Sequence, residues 1–239
     1  MTQLRTYEES DWGGTLAADA AVNVRVAFIR KTYAHVLGAT LVFIALCAVF
    51  VNTPIGVTLF ETLVRGQWWM IFGAYFAATW VAQTMAANRS SLSAQYAGLG
   101  LYAVAEAVLF TPMLMLISRR FHSPDIIFQA GALTLVIFGG LTAVVMVSRQ
   151  DFSFLRNFLW LGGFVAMGLV IASMFGGVGL GTWFVVGMIA LISGYILYDT
   201  SNVLHHYQTD QHVAASLALF ASLSTLFWYV LQFTSSRND

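Results

Sequence analysis

Apolar residues run along this chain in seven stretches, at residues 33–51, 68–87, 96–117, 126–147, 156–175, 180–199 and 212–234, separated by short polar connections. A helix of about 20 apolar residues crosses a hydrocarbon core of roughly 30 Å. The pattern therefore predicts an all-α integral membrane protein with seven transmembrane helices in one polytopic domain, since no connection is long enough to hold a soluble module. Residues 1–32 are expected to form a polar cytoplasmic tail, 33–234 the membrane domain and 235–239 a short polar end. The tail carries Arg5, Glu8, Glu9, Asp11, Asp19, Arg25, Arg30 and Lys31 and lacks the early apolar run of a signal peptide. Its second half, Ala20 to Ile29, reads equally as an interfacial helix or as part of a disordered tail.

Composition strengthens the membrane reading: 59% of residues are hydrophobic and 9% charged, with 19 Phe and 7 Trp, more apolar surface than a soluble core absorbs. Eleven basic residues balance eleven acidic ones and are dispersed, which gives nucleic-acid binding no support. With the N-terminus inside, seven Lys/Arg (Arg5, Arg25, Arg30, Lys31, Arg89, Arg149, Arg156) lie on inner segments and four (Arg65, Arg119, Arg120, Arg237) on outer ones. That bias places the N-terminus on the inner side of the membrane and the C-terminus on the outer side. The lone Cys47 permits no intramolecular disulfide. Glycines at 98 and 100, 139 and 140, 162 and 163, and 187 and 194 are expected to let helices approach closely.

Two acids fall within the spans, Glu106 in the third and Asp199 at the end of the sixth. Intramembrane acids are expensive and mark functional sites by default. Glu106 lies six residues before Pro112, whose missing N–H frees a carbonyl. It reads either as lining a cavity or as a neutral carboxyl hydrogen-bonded to a neighbouring helix. Asp199 opens an Asp-Thr-Ser-Asn sequence that is also good capping and turn composition, so a helix-end cap is its alternative role. His205 and His206 lie just beyond and offer either a pH response or two exposed interfacial side chains.

Enzymatic chemistry finds no support. An intramembrane aspartyl protease needs two carboxylates sharing a proton, but Gly179-Leu-Gly181 is followed by Thr182 where the second acid would stand. There is no His-Glu-x-x-His motif and no Gly-x-Ser-x-Gly elbow. The stretch Gly176 to Gly181 lacks the Lys-Ser/Thr of a phosphate loop.

Ile196-Leu-Tyr-Asp-Thr-Ser-Asn-Val-Leu-His-His206 resembles the signature of the Bax inhibitor (TMBIM) family of seven-span membrane proteins. Arg149-Gln-Asp-Phe-Ser-Phe-Leu155 is similar to the family's loop between spans four and five, and Glu106 to Pro112 falls at its apolar-Phe-x-Pro pattern in span three. Ser216 to Phe227, followed by a short polar tail, looks like the bacterial YccA-type branch. The resemblance covers residues 25 to 239 and implies a last helix surrounded by the other six. In several members it implies a pH-sensitive calcium leak in which two aspartates share a proton and an arginine tunes them. Asp199 takes the place of the first aspartate and Arg89 that of the arginine. Ser222 stands where the second aspartate is expected, and a serine cannot titrate near neutrality.

Two functions follow from that resemblance. The YccA-type branch implies a partner, the membrane-anchored AAA protease FtsH, with this chain as a modulator and slow substrate whose polar N-terminal residues offer an initiation segment. The other reading is a pH-sensitive calcium or cation leak channel gated at Asp199, with Ser222 and Arg89 as its neighbours. The replacement of an acid by Ser222 sets the partner reading slightly ahead. No resident cofactor or metal is expected, only transient calcium contacts, because a tight calcium site needs six to eight oxygen ligands.

Overall fold

The computed structural model describes residues 14–88, 91–121, 125–176 and 179–237. They form α1 (Val22–Val51), α2 (Pro54–Val64), α3 (Trp68–Ala86), α4 (Leu92–Phe121), α5 (Asp125–Ser148), α6 (Leu155–Gly176), α7 (Thr182–His205) and α8 (His212–Arg237). Among the described residues, α1 and α4 to α8 are long and apolar enough to cross a membrane. The remaining expected span is α3, whose 19 residues extend about 28 Å as a helix. Trp68 and Trp69 begin it, in the manner of indoles anchored at headgroup level. The architecture is that of an all-α integral membrane protein.

Three boundaries differ from expectation. The first helix starts at Val22, so residues 22–32 belong to a 30-residue helix of about 45 Å rather than to a tail. Ahead of it, Leu16 bridges Gln208, the Ala17 N–H donates to the Tyr207 carbonyl at 2.9 Å, and the Arg25 guanidinium donates to the Ala17 and Ala18 carbonyls. Residues 14–20 are thus tied to the α7–α8 turn. Second, the connection after α1 contains α2, an eleven-residue helix too short to span. Pro54 sits in its first turn, where a missing N–H costs nothing, and Gly66 at φ 77° ends the connection in a left-handed conformation. Third, α7 continues to His205, six residues past Asp199. Thr200, Ser201 and Val203 are fully buried there, and that packing overrides the local capping preference of Asp-Thr-Ser-Asn.

The two most enclosed helices are α4 and α8. The latter packs against α1, α3, α4, α5 and α7, whereas α6 joins the bundle through α7 and α2 through α1, α3 and α4. The last helix is therefore central, but five of the other spans pack on it rather than the expected six, because α6 lies against α7 instead. Phe110 of α4 knits the middle, meeting Phe43 of α1 edge-on at 5.1 Å, Phe227 of α8 in a stack at 5.6 Å and Trp228 edge-on at 5.1 Å. Outward residues such as Phe128, Phe158, Trp160 and Trp183 are exposed large hydrophobics, as a surface solvated by lipid requires.

The two termini of the described chain lie at opposite ends of the bundle. Residues 14–20 meet the α7–α8 turn, while Gln232 and Ser236 near the end of α8 share a cleft with Phe121 and Gly181. An odd number of crossings accounts for this.

Of the glycines expected at close helix contacts, Gly100, Gly139, Gly140 and Gly187 have nothing near a notional Cβ. Gly162, Gly163 and Gly194 do sit at the α6–α7 contact, where a Cβ would meet Leu191, Tyr195 and Leu159 side chains, and Gly98 is tighter still: a Cβ there would lie 2.6 Å from the Ala82 carbonyl oxygen and 2.8 Å from the Ala86 nitrogen, so α3 and α4 touch backbone to backbone. Gly98→Ala should destabilise the protein by about 1–3 kcal/mol through overpacking. Gly100→Ala on the same helix should leave stability unchanged or slightly raised. Thermal unfolding in detergent compares the two, and equal melting temperatures would remove the close contact from the account.

Candidate functional site

The site is built on α8. Ser222 Oγ donates a hydrogen bond to Asp199 Oδ2 of α7 at 2.5 Å. Two residues further on, Ser224 Oγ donates to Glu106 Oε1 of α4 at 3.0 Å, and the Tyr75 hydroxyl of α3 donates to the same oxygen at 3.1 Å. Positions two apart on a helix point about 200° from one another with a rise of about 3 Å. The central helix thus holds one carboxyl on each of two flanking helices, on nearly opposite sides and at almost one depth.

The two carboxyls differ in setting. Glu106 is 2% exposed and Asp199 half-buried. Glu106 has two hydroxyl donors from two helices, and Tyr102, one turn earlier on α4, faces the same carboxyl. This is the hydrogen-bonded alternative of the two sequence readings. Asp199 has the single Ser222 donor, and its place inside α7 excludes the helix-end cap. Tyr207, in the turn after α7, lies near enough to feel the Asp199 charge; burial first, and Asp199 second, push its phenol up to about 12. Among the described residues no Lys or Arg pairs with either carboxyl. Arg89, the expected tuning arginine, lies outside the described residues.

Beneath Asp199 the α5–α6 loop is docked onto α7. Ser201 Oγ accepts from the Phe152 N–H at 2.8 Å and donates to Asp151 Oδ1 at 3.3 Å. Asp151 Oδ1 accepts from the Ser153 N–H at 2.9 Å, and Asp151 Oδ2 lies 3.2 Å from His206 Nε2. Arg149 turns the chain out of α5 at φ 52°, a left-handed conformation costly for a side chain with a Cβ and held here by the loop's anchors. The two sequence motifs at 149–155 and 196–206 are therefore one structural unit. His206 belongs to it, whereas His205 turns back with Nδ1 3.0 Å from the Ser201 carbonyl of its own helix.

The Asp151 carboxyl is held well below the usual range, at about 2, chiefly by the Ser153 backbone N–H, with the Ser153 hydroxyl and His206 adding to it. A carboxylate with a depressed folded pKa contributes stability above its unfolded value of about 3.9 and loses it as pH falls through the folded value. The Asp151 carboxylate itself is thus constant across neutral pH.

Among the described residues no three His, Cys, Asp or Glu side chains gather into a possible metal site. Asp199 and Glu106 each present one carboxyl to separate partners. Sequence reasoning missed Tyr75, Ser201 and Ser224. The signal for Ser224 was available in the Ser-Leu-Ser spacing of 222–224, which sends two hydroxyls to opposite sides of one apolar helix.

Residues 25–239 match the family model described as Inhibitor of apoptosis-promoting Bax1. The chain is 28% identical to Bax inhibitor 1 of Schizosaccharomyces pombe over 91% of this chain and 79% of that protein. It is 26% identical to Protein lifeguard 4 of Mus musculus over 98% of this chain and 95% of that protein. A membrane protein of Vibrio cholerae is 31% identical over 54% of this chain, a stretch that spans 57% of the relative's own length.

Removing the Ser201 hydroxyl leaves the Phe152 N–H without its acceptor, so Ser201→Ala should cost about 1–2 kcal/mol. Backbone hydrogen exchange at 150–154 should quicken accordingly. Asp151→Asn keeps an acceptor for Ser153 and should keep the loop's protection while losing the ion pair. Unchanged exchange in Ser201→Ala would mean the loop is held by other contacts.

Proposed function

The chain belongs to the Bax inhibitor family of membrane proteins, and on that premise we propose that it is a cation leak protein whose closed state is latched by the Ser222–Asp199 hydrogen bond. The observation that carries this reading is that bond, 2.5 Å long, between the central α8 and its neighbour α7. An ionised carboxylate accepts a stronger hydrogen bond than a neutral carboxyl. Protonating Asp199 therefore weakens the latch and lets α7 move against α8. With Ser222 in place of a second acid there is no proton to share, and the response is that of one carboxyl rather than of a coupled pair. Permeation needs ion contacts weak enough to release the ion, and a single carboxyl with backbone carbonyls suits calcium in passage.

The membrane orientation rests on charge. The bundle end that carries residues 14–20 gathers Arg25, Arg30, Lys31, Arg149 and Arg156, and the other end holds Arg65, Arg119, Arg120 and Arg237. We assign the first end to the cytoplasm of a bacterial inner membrane. The partner reading, slow extraction by FtsH, stands second: residues 14–20 are tied to the α7–α8 turn and so are not free to serve as the initiation segment it needs.

Calcium flux into liposomes between pH 6 and 8 tests the latch. Wild type should leak more as pH falls. Asp199→Asn, which mimics the neutral carboxyl, should leak at the acid level at every pH, and Ser222→Ala should leak more than wild type at pH 8. A pH response surviving in Asp199→Asn would end the proposal for Asp199.

A further inference from the structure

Eight threonines in this chain satisfy their hydroxyls in the simplest way open to a helix, by donating to a carbonyl one turn back. Thr40 donates to Val36, Thr111 to Ala107 and Thr134 to Ala130, at 2.6–2.8 Å, and Thr58, Thr62, Thr79, Thr225 and Thr234 do the same. Thr142 of α5 and Thr200 of α7 do not. Their hydroxyls are buried and lie close to the buried hydroxyl of Tyr33 of α1, near enough to interact weakly with it, yet none of the three makes a hydrogen bond of good geometry. Thr200 is 0% exposed. Three orphaned hydroxyls from three helices thus meet at one place.

A hydroxyl buried without a partner costs about 1–3 kcal/mol, so three together are a large penalty that a self-bonding rotamer would have avoided at two of them. One molecule able both to donate and to accept removes it. Buried waters typically make about three hydrogen bonds to otherwise unsatisfied groups, which is the number of hydroxyls offered here. The geometry points to an internal water site held by Tyr33, Thr142 and Thr200, bridging α1, α5 and α7 beside Asp199.

The place of this site gives it a consequence. Thr200 follows Asp199 directly, and Tyr33 lies within electrostatic reach of its carboxylate. The other groups facing that carboxylate are Ser222 of α8, Tyr195 of α7 and Tyr207 of the α7–α8 turn. Among the described residues these groups all bear hydroxyls and none is basic. A water held here lies within electrostatic reach of the Asp199 carboxylate, as Tyr33 does. The hydration stands on the geometry alone, and its part in gating rests on the latch proposed above.

Radiolytic hydroxyl labelling of the full chain in nanodiscs, read by mass spectrometry, detects buried side chains that touch bound water. Tyr102, 5% exposed and in contact with Glu106 rather than with this cluster, is the dry reference. Tyr33 should be labelled several-fold faster than Tyr102 in wild type. Thr142→Val with Thr200→Val should reduce Tyr33 labelling to the Tyr102 level, while Thr142→Ser with Thr200→Ser, which keeps both hydroxyls, should retain it. Tyr33 labelled no faster than Tyr102 in wild type, a comparison that needs no variant to fold, would overturn the site. Labelling unaffected by the two valines would overturn it equally. Neither readout depends on ion flux, so a failed latch and a dry site are distinguishable.

Discussion

A helix enclosed by other helices in lipid has no water to satisfy its polar side chains, and that constraint fixes where α8 can sit. Its serines are each answered by a different neighbour. Ser216 Oγ lies 3.0 Å from the Thr32 carbonyl of α1, Ser222 bonds Asp199 of α7, and Ser224 bonds Glu106 of α4. Rotating α8 by one residue, about 100°, would break all three at once. In a bundle where lipid tails compete equally with apolar side chains, such bonds set rotation and depth more firmly than the Phe110 cluster can.

The two carboxyls held by α8 are not equivalent, and the difference divides structure from function. Glu106, with two donors from two helices and almost no exposure, acts as a strut that joins α3, α4 and α8. Asp199, with one donor and partial exposure, is the weaker link. Losing one hydrogen bond frees it, whereas Glu106 must lose two. Asp199 also lies two residues before Ser201, which with Asp151 and His206 anchors the α5–α6 loop to α7.

Much of this was legible in the sequence. Apolar runs located the six helices long and apolar enough to cross, and α3 as well, because membrane helices need a minimum length whatever their partners, and Asp199 stood out because an intramembrane acid is costly anywhere. The contact of Ser222 with Asp199 followed from aligning a motif residue by residue. What stayed hidden depended on tertiary packing. Asp-Thr-Ser-Asn read as a helix end because its local preference is for capping, and only the burial of Thr200, Ser201 and Val203 carries α7 onward. The short α2 was invisible because eleven residues are below span length. Half of the glycines expected at contacts, Gly100, Gly139, Gly140 and Gly187, face open space, since the sequence cannot show which side of a helix meets a neighbour.

The central claim is that the Ser222–Asp199 bond couples α7 to α8, and a double-mutant cycle on stability measures that coupling directly. Unfolding free energies of Asp199→Ala, Ser222→Ala and the double variant should give an interaction energy of about 1–3 kcal/mol, because each single change leaves a polar group unpaired and the double change leaves none. Strictly additive effects would contradict the account and leave α8 held by packing alone.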